Sequence, residues 1–155
     1  MGNPRSTSLM YRLMKTLNPV VARNYQKRIG PRRAILLLTT RGRKSGLPRV
    51  TPLQFEEVDG AYYVGSARGA EADWYRNILV NQQVEVQICE RSFHGIAEAV
   101  SDPGMVADFL ALRVKRRPPF IGLLMRLEGL PWRYTRLDLE RFASRKTLVI
   151  IRQQS

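Results

Sequence analysis

The chain has 155 residues, of which 44% are apolar and 25% charged, and it contains one cysteine and one histidine. That length and apolar content suit a single globular domain with its own core, while a lone Cys89 excludes an internal disulfide and a lone His94 leaves no Cys/His set to hold zinc, so no metal site is expected. The net charge of +13 is unevenly placed, with twelve Lys and Arg residues preceding the first acidic residue, Glu56, and a field of that kind favours an anionic partner such as nucleic acid, a phospholipid surface or a small phosphorylated ligand.

The chain opens with SLMYRLMKTLNPVVARNYQKR, where Leu9, Met10, Leu13, Met14, Leu17, Val20 and Val21 recur at three- and four-residue intervals among Arg12, Lys15 and Arg23. This spacing predicts a basic amphipathic helix, bent near Pro19, within residues 1–33. The apolar run is too interrupted for a membrane span and lacks a signal-peptide core. The expectation is a cytoplasmic protein whose first helix packs on its own domain or lies on the inner face of an anionic membrane.

Residues 34–155 then read as a β-rich domain. AILLLTT and RVTPLQFEEV flank the Gly-bounded loop GRKSG and predict a hairpin, and Asp59–Gly60 signals a second tight turn into AYYVGSA. EADWYRNILVN, with an Asp at a plausible start, predicts a short helix, and VEVQICE and SFHGIAEAV alternate as two more strands. DPGMVADFLALRVKRR predicts a helix with a proline in its first turn. PPFIGLLMRLEGLPWRYTRLDLERFASR is apolar with basic punctuation and has no clear shape, and TLVIIRQ reads as a final strand. Five or six antiparallel strands with intervening helices point to a small barrel rather than a doubly wound sheet.

The GRKSG loop carries the densest chemistry. It is not a phosphate loop of the nucleotide-hydrolase type, because it joins strand to strand, and no G-x-G-x-x-G opens a helix. Its glycines nevertheless allow close backbone approach, its successive N–H groups can form an anion-binding concavity, and Ser45 adds a hydroxyl while Arg43, Lys44 and Arg49 add charge. A Ser/His/Asp triad would have to use His94, which lies in an alternating, strand-like segment.

From TTRGRKSGLPRVTPL through the Gly65–Ala67 turn to DWYRNI and VEVQI, the chain resembles the deazaflavin-dependent nitroreductase family, which are oxidoreductases of the split β-barrel type. The matching features occur in order: a strand ending in TT, the G-R-K-[ST]-G loop followed shortly by Arg, a Pro-Leu in the second strand, a Ser/Gly-rich loop and W-Y-x-N. The resemblance implies a split β-barrel of antiparallel strands with peripheral helices, in which residues 103–146 form a helical substrate-side segment. It also implies binding of coenzyme F420, an 8-hydroxy-5-deazaflavin with an anionic phosphate and oligoglutamate tail. By that resemblance Arg43, Lys44, Ser45, Gly46 and Arg49 meet the tail, Pro52 meets the ring system, Ser66, Ala67 and Arg68 wrap its polar edge, and Trp74 and Asn77 stand beside the cofactor.

Such chemistry needs no protein nucleophile, because the reduced cofactor delivers hydride itself and the protein orients it. The acceptor would be a small molecule, namely a quinone, a nitro compound or an activated alkene. Its proton would come from solvent or from a hydroxyl such as Tyr134, and the apolar block around Phe120, Leu123, Leu124, Trp132 and Tyr134 would either wall the pocket or pack as ordinary core. Two other readings fit parts of the sequence: a non-enzymatic cationic module for lipid or nucleic acid, and the same barrel holding flavin mononucleotide. No RNA-binding signature accompanies LPWRYTR, so nucleic acid is not the expected partner.

Overall fold

The structure is a computed structural model that describes residues 35–66, 68–116 and 118–155. The predicted amino-terminal helix lies outside the described residues. Six strands, β1 (Ile35–Arg41), β2 (Pro48–Val58), β3 (Ala61–Ser66), β4 (Gln83–Ile88), β5 (Arg91–Val100) and β6 (Thr147–Gln153), close into a barrel in the order β1-β2-β3-β6-β5-β4. Every neighbouring pair is antiparallel. Among the described residues, four α-helices accompany the barrel, α1 (Asp73–Val80), α2 (Pro103–Arg116), α3 (Pro118–Leu127) and α4 (Arg136–Ala143), with a short 3-10 turn at Gly69–Glu71. The barrel and the strands expected from the alternating segments are therefore present, in the expected chain order.

Both expected hairpins form. Asp59 and Gly60 take positive φ values of 51° and 77°, the pairing of left-handed residues that matches strand twist in a two-residue turn. The shapeless apolar block resolves into α3 and α4, separated at Gly129, whose φ is +109°, and Pro131. Thr135 starts α4 with a reciprocal cap: its hydroxyl accepts from the Asp138 N–H at 3.2 Å, and its own N–H donates to Asp138 Oδ2 at 2.9 Å.

Two apolar layers share the barrel wall. Leu36, Leu38, Phe55, Tyr62, Val64, Val86, Phe93, Val149 and Ile151 fill the barrel, which α1 plugs with Trp74, Tyr75 and Ile78. On the outside, Val106, Phe109 and Leu110 of α2, Met125 of α3 and Leu139 and Phe142 of α4 pack with Leu148 and Ile150. Strand β6 thus feeds both layers, which is why LVII is an unbroken apolar run instead of an alternating one.

Strands β2 and β5 each change partner along their length. The amino-terminal half of β2 pairs with β1 through Gln54, whereas only Phe55–Val58 pair with β3. Between Pro52–Gln54 and Gly65–Ser66 the two strands diverge and open a gap in the wall. Pro52 suits that edge, because a proline has no N–H to donate to a second ladder. In β5 the handover from β4 to β6 occurs around Gly95, where a Cβ would lie 2.8 Å from the Arg152 carbonyl oxygen. Replacing fully buried Ile151 with Ala is expected to destabilise the fold by about 2–5 kcal/mol, measured by denaturant unfolding with an unchanged m-value.

Candidate functional site

The loop between β1 and β2 is a tight, self-bonded turn. Gly42 N–H donates to the Leu47 carbonyl and Gly46 N–H to the Gly42 carbonyl, both at 2.8 Å, and Leu47 N–H donates to Ser45 Oγ at 3.2 Å. Both glycines are required: a Cβ on Gly42 would stand 2.8 Å from Ser45 Oγ, and Gly46 has φ +70°.

Asn77 anchors this loop to the body of the protein. It is 3% exposed; its Nδ2 donates to Thr40 Oγ1 at 3.0 Å, and its Oδ1 accepts from both the backbone N–H and the Nη1 of Arg43 at 3.1 Å. The end of β1, the loop and α1 are joined through one amide. Asn77 therefore fastens the loop from the middle of α1, and the last turn is closed by its carbonyl instead, which accepts from the Asn81 N–H.

Arg43 is held a second time. Its Nη2 donates to Asp73 Oδ1 at 3.0 Å, forming an ion pair in which Arg43 is mostly covered and Asp73 is exposed. The hydrogen bond and charge of Arg43, with smaller contributions from Arg76 and Arg68, hold the Asp73 carboxyl below its ordinary value. With a lowered folded-state pKa, this contribution is complete above the ordinary carboxylate range and is lost only as pH falls through the lowered value. Lys44 and Arg49 are both exposed and, among the described residues, unpaired.

A cleft of about 530 Å³ lies against this loop, lined by Gly42, Arg43, Lys44, Ser45, Arg49, Thr51, Asp73, Trp74 and Asn77. Trp74 belongs to the barrel core as well, so it serves as core anchor and cleft wall together. A second cleft, of about 250 Å³, occupies the gap between β2 and β3. Pro52, Leu53, Gln54, Gly65, Ser66 and Thr147 line its strand side, and Phe109, Leu110, Met125 and Phe142 its helical side. Arg113, Glu128 and Lys146 stand among its lining residues, with Arg113 bonded to Gln54 Oε1 and Lys146 paired with Glu128.

The two clefts are strung along one strand: Arg49–Thr51 line the first and Pro52–Gln54 the second. The five steps from Arg49 to Gln54 span about 17 Å of strand, the reach of an elongated ligand with an anionic end and a flat end. The structure brings together Arg43, Lys44, Ser45 and Arg49 in the first cleft with Trp74 and Asn77, and Pro52 with Ser66 in the second. Gly46 shapes the loop without lining the cleft, Arg68 is exposed and donates its N–H to Ser66 Oγ at 3.2 Å, and Ala67 lies outside the described residues.

The expected apolar wall is placed differently. Leu123 and Trp132 are exposed, and Tyr134 packs beside the outer apolar layer and lines neither cleft. The side chains of Phe120 and Leu124 lie outside the described part of the structure. Phe109, Leu110, Met125 and Phe142 form the wall. The 106/109/110 spacing in α2 was visible as an apolar helical face, but spacing cannot say whether such a face meets core or cavity.

A closed six-stranded antiparallel barrel with peripheral helices is the architecture of the split-barrel class. Solved structures support that architecture. An F420-H2 dependent reductase (FDR-A) is 24% identical, with 77% of this chain and 94% of that chain covered and a TM-score of 0.52. The haem storage protein HutZ of Vibrio cholerae is 20% identical over 90% of this chain and 91% of that one, with a TM-score of 0.54. General Stress Protein 26 of Bacillus anthracis is 16% identical over 78% and 80%, with a TM-score of 0.51.

Residues 12–120 match the F420H(2)-dependent quinone reductase family. The chain belongs to that family and is an F420-dependent oxidoreductase whose cofactor is coenzyme F420. The described residues fit it: two unpaired cations stand on a loop where a Cβ at Gly42 would lie 2.8 Å from Ser45 Oγ and 3.1 Å from the Leu47 carbonyl oxygen, and Thr147, in the second cleft, has a buried hydroxyl without a partner among the described residues. Replacing Asn77 with Leu would strand Thr40 and the Arg43 N–H. It is expected to cost about 1–3 kcal/mol, read as a lower unfolding midpoint together with weaker anion binding.

Proposed function

We propose that Lys44, Arg49 and Ser45 hold the phosphate and acidic tail of F420 in the first cleft, that Pro52 and Ser66 hold its ring system in the second, and that the acceptor is a planar lipophilic quinone. The observation that carries this reading is the alignment of both clefts along β2. When bound, reduced F420 supplies a hydride, which with one solvent proton converts a quinone to its hydroquinone.

The chain's own contribution is binding and orientation. Lys44 and Arg49 supply long-range attraction and charge-assisted bonds, while the self-bonded loop is already in place before the ligand arrives. Phe109, Leu110, Met125 and Phe142 offer an apolar wall to a quinone and exclude water there. Ser66 and Thr147 place hydroxyls on the strand side, where they can hydrogen-bond a ring edge or relay a proton from solvent. Nitro compounds and activated alkenes are smaller acceptors that the same wall accommodates.

Removing one charge-assisted contact in Lys44→Ala is expected to weaken F420 binding about tenfold, followed by fluorescence titration, and to flatten its dependence on salt. Menadione should oxidise reduced F420 in the presence of the wild-type chain, and flavin mononucleotide should bind more weakly than F420. Unchanged F420 affinity in Lys44→Ala, or tighter binding of flavin mononucleotide, would overturn the reading.

The uneven positive charge and a lipophilic acceptor together support attachment of the cytoplasmic protein to an anionic membrane. No described helix is long and apolar enough to cross one. The protein is expected to sediment with phosphatidylglycerol vesicles and not with phosphatidylcholine vesicles, and release by moderate salt would identify the attraction as electrostatic.

A further inference from the structure

The first cleft contains an anion of its own. Among its lining residues Asp73 is the one carboxylate, it is 77% exposed along its side chain, and it already occupies the Nη2 of Arg43 at 3.0 Å. Its Nη1 donates to Asn77 Oδ1 at 3.1 Å and to the Asp73 carbonyl oxygen at 3.5 Å. A ligand anion entering the cleft therefore meets Lys44 and Arg49 free but finds both terminal nitrogens of Arg43 already bonded.

We infer that Asp73 is a specificity-determining residue, an internal competitor that keeps Arg43 from the ligand and sets how many negative charges the tail cleft accepts. The inference rests on the reading that this cleft takes the cofactor's phosphate and carboxylate tail. Two effects act in the same direction. Asp73 cancels one of the cleft's three cations, and its exposed carboxylate repels each further carboxylate placed within a Debye length of it, about 8–10 Å at ordinary ionic strength. The first effect lowers affinity for every anionic tail, and the second grows with the number of tail glutamates. The cleft is tuned to a compact anion with a short tail.

Arg43 would not swing free without Asp73, because Asn77 holds both its backbone and its Nη1. Removing the carboxylate thus exposes a positioned guanidinium instead of a loose one, so the loop should survive the substitution. This separates Asp73 from Asn77, whose loss takes the loop's anchor with it.

The test uses the full chain and two preparations of F420, one with a short and one with a long oligoglutamate tail, titrated by fluorescence at several salt concentrations. Asp73→Asn and, as a second neutral replacement, Asp73→Ser are expected to bind both forms more tightly, by about threefold to tenfold for one unscreened charge near the protein surface. The gain should be larger for the long tail and should shrink as salt rises. Asp73→Glu, which keeps the charge, should retain the wild-type ratio between the tails. Neutral variants with wild-type melting temperatures that bind the long-tailed form no more tightly, or less tightly, would overturn the proposal. If Lys44→Ala weakens binding while the Asp73 variants leave it unchanged, the tail cleft stands and only the role of Asp73 falls. If Lys44→Ala has no effect, the cleft reading itself has failed.

Discussion

The buried amide of Asn77 is the interaction on which the tail cleft depends. A hairpin loop with two glycines and four cations within nine positions, Arg41 to Arg49, would repel itself and sample many conformations if left alone. One side chain in a low-dielectric setting supplies an acceptor for the Arg43 backbone and guanidinium and a donor for Thr40, and each of these groups would be costly to bury unpaired. The consequence is a pre-formed cationic surface. An anion that binds there then needs no loop ordering, so little of its binding energy is lost to fixing the chain.

A second constraint is geometric. A barrel of six strands must close, yet a ligand cleft needs an opening, and β2 meets both demands by changing partners at Gln54–Phe55. Its first half is supported by β1 alone, and its second half completes the wall with β3. The gap is walled on the outside by α2, α3 and α4, whose apolar faces serve the outer core and the cavity together. Position along one strand thus sets the character of the lining, with charge at one end and apolar surface at the other.

Much of this was legible in the residues. Alternating segments and the Asp-Gly turn gave the strands and their hairpins, and the glycine-bounded basic loop stood out before any pairing was known and lines a cleft in the structure. The loop's resemblance to its family placed Pro52 and Ser66 in what proves to be one cleft. Other features were hidden for physical reasons. Asp73 looked like a helix cap, but the cap position is Ala72, and the carboxylate turns instead to Arg43, 30 residues earlier; local spacing carries no trace of so distant a partner. The apolar wall was assigned to residues around Leu123, Trp132 and Tyr134 because a hydrophobic run reads alike whether it lines a cavity, packs in a core or faces solvent. The Thr135–Asp138 cap was a readable signal, and it would have split the shapeless block into two helices.

The register of β6 gives the two clefts different histories during folding. The tail cleft is made from residues 42–77, a compact stretch of neighbouring elements. The ring cleft has Ser66 and Thr147 as paired residues on its floor, a contact of very long sequence separation that forms only when β6 slots between β3 and β5. Contacts of that kind are slow, because loop-closure entropy is lost before any contact energy is gained. The basic cleft can therefore take shape while the barrel is still open, and the apolar cleft between β2 and β3 arises with closure itself. Any ligand that grips both clefts spans the last seam to form, and so acts as a clasp on the finished barrel.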